Sequence, residues 1–353
     1  MRFNVKIPLP FKKRRPPPPP EEGEGEEERE DLIVSRRPPE EVMGERYKKS
    51  PATIFVGSSK GGTGKSFIAS ALAYVAAAHT KRKVYAVDLD LDNTTLTDRV
   101  LTKEKYRLIN LMVQSRNIYY LNVADVLDEG LVKGQHILVI SENTFTCGGS
   151  QVKVTLRLVP PYFFPDRKRQ EIRLRELDAL RLREGITSLV DYVKSKGGIA
   201  IFDGKQKSNM GIDYDPLYRV MKEKSDVVLL VTEPPYLSFS SITAQYRDIL
   251  DRVVIVVNKM EHGAFTQFKL LVEDALRYEV PVFMIPYNEE DRLIYDSRDR
   301  VTPALHRLDR GSIKFVGALA MYLNLVEDCT TGCCSVYGGI LERYLRLVRA
   351  LGE

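Results

Sequence analysis

The chain has 353 residues, 43% of them hydrophobic and 29% charged, with 53 Lys and Arg against 48 Asp and Glu for a net charge of +5. That balance announces neither a nucleic acid nor a membrane, and the longest apolar run, Phe67 to Ala78, is shorter than the roughly 20 residues of a spanning helix. Four cysteines are too few for a disulfide scaffold at this size, and the basic N-terminus has neither an apolar core nor a small-residue cleavage site, so the sequence predicts a soluble cytoplasmic protein.

Residues 1–50 stand apart. They hold nine of the nineteen prolines, five of them consecutive (Pro16 to Pro20), with Lys12–Arg15 before that run and a Glu-rich stretch after it. Such a segment buries too little apolar surface to offset its ordering entropy, which predicts a disordered Pro/Glu-rich tail. From Pro51 onward, short Val/Ile/Leu-rich runs at 52–58, 84–90, 136–141, 152–159, 198–203, 226–232, 252–259 and 280–286 read as strands covered on both faces. Helical patterns lie between most of them, at 66–79, 186–196, 216–224, 239–250 and 267–278. This alternation predicts an α/β fold, a doubly wound and mainly parallel sheet with helices on both faces, over residues 51–328. An Arg-rich insertion is expected within 101–185, and a Cys-containing segment with a basic amphipathic helix fills 329–353.

The strongest chemical signal runs from Gly57 to Ser66, between the first strand and first helix. Ser59 opens a phosphate-loop pattern that closes on Gly64-Lys65-Ser66, with Lys60, Gly61, Gly62 and Thr63 inside it. Glycines let successive N–H groups curl inward toward a polyphosphate, and the helix that follows adds its positive end. Lys65 would meet the β and γ phosphates, and the Ser66 hydroxyl would ligate Mg²⁺, a hard cation that takes oxygen donors. Two later strands end in carboxylates, Asp88 with Asp90 and Asp203, where an open parallel sheet places its ligands.

The segment KGGTGKS resembles the deviant phosphate loop of the ParA/MinD ATPases, within the SIMIBI class of P-loop proteins. The resemblance implies ATP and Mg²⁺ as cofactors and a homodimer when nucleotide is bound, with Lys60 crossing to the partner's phosphates. It also implies that Asp90 positions the attacking water, that Asp88 supports the metal and that Asp203 faces it. Lys60, Lys65 and Asp90 are thus the catalytic candidates, and Ser66, Asp88, Asp90 and Asp203 the candidates for Mg²⁺, directly or through water. Gly204-Lys205-Gln206-Lys207 departs from the family's usual Asp-Thr-Pro-Pro-Gly continuation. Asn258 matches the family's purine-edging position, where an amide can both donate and accept. Glu261 replaces the guanine-reading Asp, so ATP is favoured over GTP. Pro286, in Ile285-Pro286-Tyr287, matches the loop that runs beside the base.

Three features bear on partners. Residues 340–351 place Ile340, Tyr344, Leu347, Val348 and Leu351 on one helical face and Arg343, Arg346 and Arg349 on the other. That helix either lies at the inner face of a membrane or docks on its own domain. Cys329, Cys333 and Cys334 could hold an iron–sulfur cluster or zinc, although their spacing matches no known ligand pattern. The Arg-rich stretch 167–183 could contact DNA or form a solvated helix laced with ion pairs. The expected function is a Mg²⁺-dependent ATPase switch of the ParA/MinD type, stimulated by an activating partner. The alternatives are a metallocluster carrier using the terminal cysteines and a nucleotide-gated module that hydrolyses little.

Overall fold

A computed structural model describes residues 49–352 apart from 59, 92–94, 102–104, 106, 110, 113–119, 131–135, 164–178, 205–215, 289–306 and 328–330. The tail 1–48, most of the Arg-rich stretch, Lys205, Lys207 and Cys329 therefore lie outside the described residues. Among the described residues eight strands carry the fold: β1 (Thr53–Gly57), β2 (Val84–Asp88), β3 (Leu138–Cys147), β4 (Ser150–Val159), β5 (Ile199–Asp203), β6 (Val227–Thr232), β7 (Val253–Met260) and β8 (Val282–Pro286). They form one sheet in the order β3-β4-β2-β5-β1-β6-β7-β8. All neighbours pair in parallel except β3 with β4, so the expected doubly wound α/β sheet is present with one antiparallel edge.

Strands β1, β2, β5 and β6 are buried along their whole length, as apolar runs covered by helices must be. The edge is different. β4 alternates in burial and is exposed toward its start, and the β3–β4 turn is Gly148-Gly149 with φ of +57° and +84°, a conformation that suits glycine in a tight hairpin.

Helix α1 (Lys65–His79) follows the phosphate loop and is apolar nearly all round, the pattern of a helix sealed inside the domain. Short helices α2 (Thr95–Val100) and α3 (Val123–Glu129) come next, and then α4 (Ala179–Ser195) and α5 (Pro216–Lys224). α4 starts seven residues before the expected 186 and takes in Arg181 and Arg183; Arg183 pairs with Glu223 of α5 at 2.8 Å. The helix expected over 239–250 is instead α6 (Phe239–Thr243) and a separate 3₁₀ segment, Arg247–Arg252. Ile249 inside that segment has non-helical dihedrals (φ −134°), and Tyr246 between the two pieces is buried. Tertiary burial overrides the local helical pattern there.

Helices α7 (Phe265–Arg277), α8 (Ile313–Tyr322) and α9 (Gly332–Gly352) complete the domain. The apolar stripe of α9 is used inside the domain: Tyr337, Tyr344, Val348 and Leu351 are buried in the core cluster, while Arg343, Arg346 and Arg349 face out. Tyr337 sits so close to Gly317 of α8 that a Cβ there would fall 2.2 Å from the ring. Its hydroxyl donates to the Leu308 carbonyl at 2.9 Å. Among the described residues no helix is long and apolar enough to cross a membrane.

Candidate functional site

The carboxyl end of the sheet gathers the residues that the sequence singles out. The chain winds toward β2 on one side of β1 and toward β8 on the other, so the crevice beyond β1 is where such a sheet takes its ligands. Gly62 (φ +79°) and Gly64 (φ +91°) turn the loop through left-handed backbone that a side chain would strain. Gly64 is the residue from which α1 starts, with no side-chain cap on the helix N-terminus. The N–H groups of that first turn are thus open to an anion.

Lys65 is 8% exposed, and its ammonium donates to Ser58 Oγ at 3.1 Å. Burial pushes its pKa down, while the nearby charges of Asp203 and Asp90 push it back up. Ser66 Oγ meets Thr95 Oγ1 of α2 at 2.7 Å. Asp88 and Asp203 are register partners on β2 and β5, which sets two fully buried carboxylates side by side. Asp88 accepts from the backbone N–H of Thr97 at 2.8 Å and from that of Asp90 at 3.1 Å. Asp203 is different: both of its oxygens are buried without a hydrogen-bond partner among the described residues.

Burial raises the Asp203 pKa to about 7 against the lowering pull of Ser66 and Lys65, and burial next to Asp203 raises that of Asp88 well above the carboxylate range. Three buried carboxylates, Asp88, Asp90 and Asp203, thus share a site with one buried ammonium. A charge imbalance of that kind calls either for protons or for a cation. The donors are all oxygens, including the two orphaned ones of Asp203, and this set fits a hard divalent cation such as Mg²⁺.

The remaining sequence candidates divide. Lys60 is exposed, and its ammonium lies 3.5 Å from the centre of the Tyr236 ring and meets the Tyr236 hydroxyl. It is held outside its own loop, on the 3₁₀ turn Pro234–Tyr236 after β6. Asn258, expected at a base edge, is fully buried and turns its amide N–H to the Thr63 carbonyl at 2.8 Å. Beside it, Lys259 (φ +56°) donates to the Gly62 carbonyl at 2.7 Å and pairs with Glu233 at 3.4 Å. The Asn-Lys pair therefore braces the phosphate loop from β7. Pro286 ends β8 in register with Met260, and its carbonyl accepts from Ser312 Oγ at 3.1 Å.

Thr95, Tyr236 and Glu233 were not legible as site residues. Glu233 and Tyr236 carry only the signal of a position just past β6, and Thr95, the first residue of α2, carries none.

The terminal cysteines are arranged otherwise than a cluster shared across a dimer requires. Cys333 is buried and joined by a disulfide to Cys147, 186 residues away, and Cys334 is buried too. The two described cysteines of that segment are therefore turned into their own domain.

Comparison with known proteins bears on the family and the fold. Residues 54–299 match the family model of the CobQ/CobB/MinD/ParA nucleotide binding domain. No curated protein matches the chain in sequence at a significant level. Among solved structures, the chain is similar to the MinD cell division protein of Aquifex aeolicus, at 15% identity and a TM-score of 0.51, over 77% of this chain and 96% of that one. It is also similar to a putative plasmid partition protein of Borrelia burgdorferi bound to AMPPNP, at 16% identity and a TM-score of 0.51, over 78% and 99%. A ParA family ATPase of Chlorobium tepidum follows at 18% identity and a TM-score of 0.49, over 78% and 99%.

Proposed function

Because the chain belongs to the CobQ/CobB/MinD/ParA nucleotide binding domain family, we propose that it is a Mg²⁺-dependent ATPase that pairs as a homodimer on ATP and works as a switch on a partner. The observation that carries this reading is the Asp203 carboxylate, fully buried beside Ser66 and Lys65 with neither oxygen within hydrogen-bond distance of a partner among the described residues. A site that leaves such a group unsatisfied is built for a ligand that completes it. The AMPPNP in the Borrelia structure is in keeping with an adenine nucleotide here.

In this reading the loop N–H groups and the α1 N-terminus hold the phosphates, and Lys65 offsets charge on the transferring group. Bound Mg²⁺ would supply further charge neutralisation, held by Ser66 and Asp203 with support from Asp88 and Asp90. Asp90, at the exit of β2, orients the attacking water. Asn258 and Lys259 hold the loop carbonyls still, so that the N–H groups stay aimed inward. Lys60 rests on Tyr236 at the surface, free of its own phosphate cradle, which suits a role across a dimer. The docked α9 contributes to the core, so membrane contact through it would require undocking; DNA contact would fall to the Arg-rich stretch.

Phosphate release with Mg²⁺ and ATP, measured for wild type, Asp90→Ala and Lys60→Ala, tests the proposal. Expected are slow turnover in wild type and a loss of about 100-fold or more in both variants, with ATP affinity of the Lys60→Ala monomer kept. Tight ATP binding without turnover in wild type would leave the non-hydrolysing module. Turnover that survives Asp90→Ala would remove Asp90 from its role.

A further inference from the structure

Helix α1 carries Lys65 and Ser66 at one end and His79 at the other, about 21 Å away at 1.5 Å per residue. His79 is 1% exposed, and its Nε2 lies 3.6 Å from Cys147 Sγ at the end of β3. Cys147 is bonded to Cys333 in the first turn of α9. One nitrogen of His79 and the two sulfurs lie within 4.8 Å of one another, all buried. Three segments far apart in sequence thus deliver one imidazole and two sulfurs to a single point.

The backbone is built to allow this meeting. Each cysteine has a glycine beside it, and the glycines touch: a Cβ on Gly148 would stand 2.4 Å from Gly332 Cα, and one on Gly332 would stand 2.8 Å from the Gly148 carbonyl oxygen. Only two glycines can cross there, and the crossing sets the spacing of the sulfurs. The imidazole is the part that a disulfide does not require. A disulfide makes little use of a nitrogen lone pair, and burying a ring with two polar atoms costs more than burying an aliphatic side chain. His79 Nδ1 lies 3.5 Å from Thr331 Oγ1, which is itself 3.6 Å from Cys147 Sγ. With the proton on Nδ1 and shared with Thr331, the Nε2 lone pair faces the sulfurs. A metal-bound histidine is held in this way by a hydrogen bond behind it.

We propose that, once the disulfide is reduced, His79, Cys147 and Cys333 bind one zinc-class metal ion. Reduction by a dithiol breaks the S–S bond: the dithiol gives two electrons and two protons, becoming a disulfide, and Cys147 and Cys333 become thiols. Metal binding releases those two protons to solvent and forms two metal–sulfur bonds and one metal–nitrogen bond, leaving a fourth position to water. Disulfide and metal are then alternative fastenings of α9 to the β3–β4 hairpin, and the metal adds the end of the phosphate-loop helix. Sulfur and imidazole donors select against Mg²⁺, so the two ends of α1 take chemically distinct ions.

Cobalt titration of the full-length protein, reduced anaerobically with a dithiol and freed of it, tests the site. One equivalent of Co²⁺ should give tetrahedral visible bands and a sulfur-to-cobalt charge-transfer band of an intensity for two Co–S bonds, both displaced by one equivalent of Zn²⁺. Oxidised protein should give neither. Cys147→Ser and Cys333→Ser should each weaken binding about 100-fold or more, and His79→Gln should weaken it and shift the visible bands, whereas Cys334→Ser should change nothing. The wild-type bands decide the matter even where a serine variant fails to fold. Reduced, folded wild type that takes up no cobalt, or shows fewer than two Co–S bonds, overturns the proposal, as does binding unchanged in Cys147→Ser or Cys333→Ser.

Discussion

The two ends of helix α1 are built on opposite electrostatic terms. At its N-terminal end, three buried carboxylates face one buried ammonium, and among the described residues neither Asp203 oxygen has a partner within hydrogen-bond distance. At its C-terminal end, a covalent bond joins two buried sulfurs beside an imidazole, and two glycines bring the backbones into contact. One end leaves polar groups unsatisfied until a ligand arrives, and the other closes the structure without one. The contrast shows where stability is given up for binding and where it is recovered, a division expected when functional sites store strain.

The largest effect that would break this contrast is pH. Asp203 has a folded-state pKa near 7, raised above its unfolded value of 3.8. Its contribution to stability is therefore fully present below about pH 4 and is lost as the pH rises through about 7, because deprotonation leaves a buried carboxylate without partners. Three pKa units correspond to at most about 4 kcal/mol. Urea unfolding of the ligand-free, metal-free protein should show stability falling between about pH 4 and pH 7 and levelling off above that. Asp203→Asn should lessen that fall, leaving the part that burial of Asp88 contributes, and saturation with Mg²⁺ and nucleotide should flatten it. An equal slope in Asp203→Asn would show that the strain lies elsewhere.

The far end of α1 answers to packing instead. Gly148→Ala forces a Cβ to within 2.4 Å of Gly332 Cα at a φ of +57°, and about 3 kcal/mol should be lost in urea unfolding under oxidising conditions. Gly149→Ala is the control: its φ is +84° but nothing lies within 4 Å of the added carbon, so about 1 kcal/mol is expected. Similar losses in the two variants would mean that the close approach carries no cost. Nucleotide affinity should not change in either.

The contrast also explains which parts of the molecule can be read without coordinates. Continuous Val/Ile/Leu runs imply buried parallel strands because both faces are covered, and glycines before Lys65-Ser66 imply a phosphate cradle because few other arrangements require them. These are local signals. The Cys147–Cys333 bond spans 186 residues, and His79 joins it from a third segment, so no spacing rule reaches them. The amphipathic pattern of α9 reveals that a face is to be covered but not by what; Tyr337 against Gly317 supplies the answer only in three dimensions. The segment 239–250 is helical in pattern, yet Tyr246 and Ile249 are drawn into the core and split it.

Asn258 separates sequence expectation from structure most finely. At a base edge, its amide would discriminate between purines; as a brace, it donates to the Thr63 carbonyl at 2.8 Å and never meets the base. Asn258→Ala leaves that buried carbonyl without this donor, a loss of about 1–2 kcal/mol, or roughly tenfold in nucleotide affinity. A brace predicts that ATP and GTP weaken by the same factor, since the phosphates are common to both, and a base reader predicts that their ratio changes. Asn258→Asp sharpens the test further: it sets a carboxylate oxygen against the Thr63 carbonyl, so it should weaken both nucleotides more than alanine does. A shift in the ATP-to-GTP preference with either substitution would return Asn258 to the base edge and leave Lys259, through Gly62, as the brace of the loop.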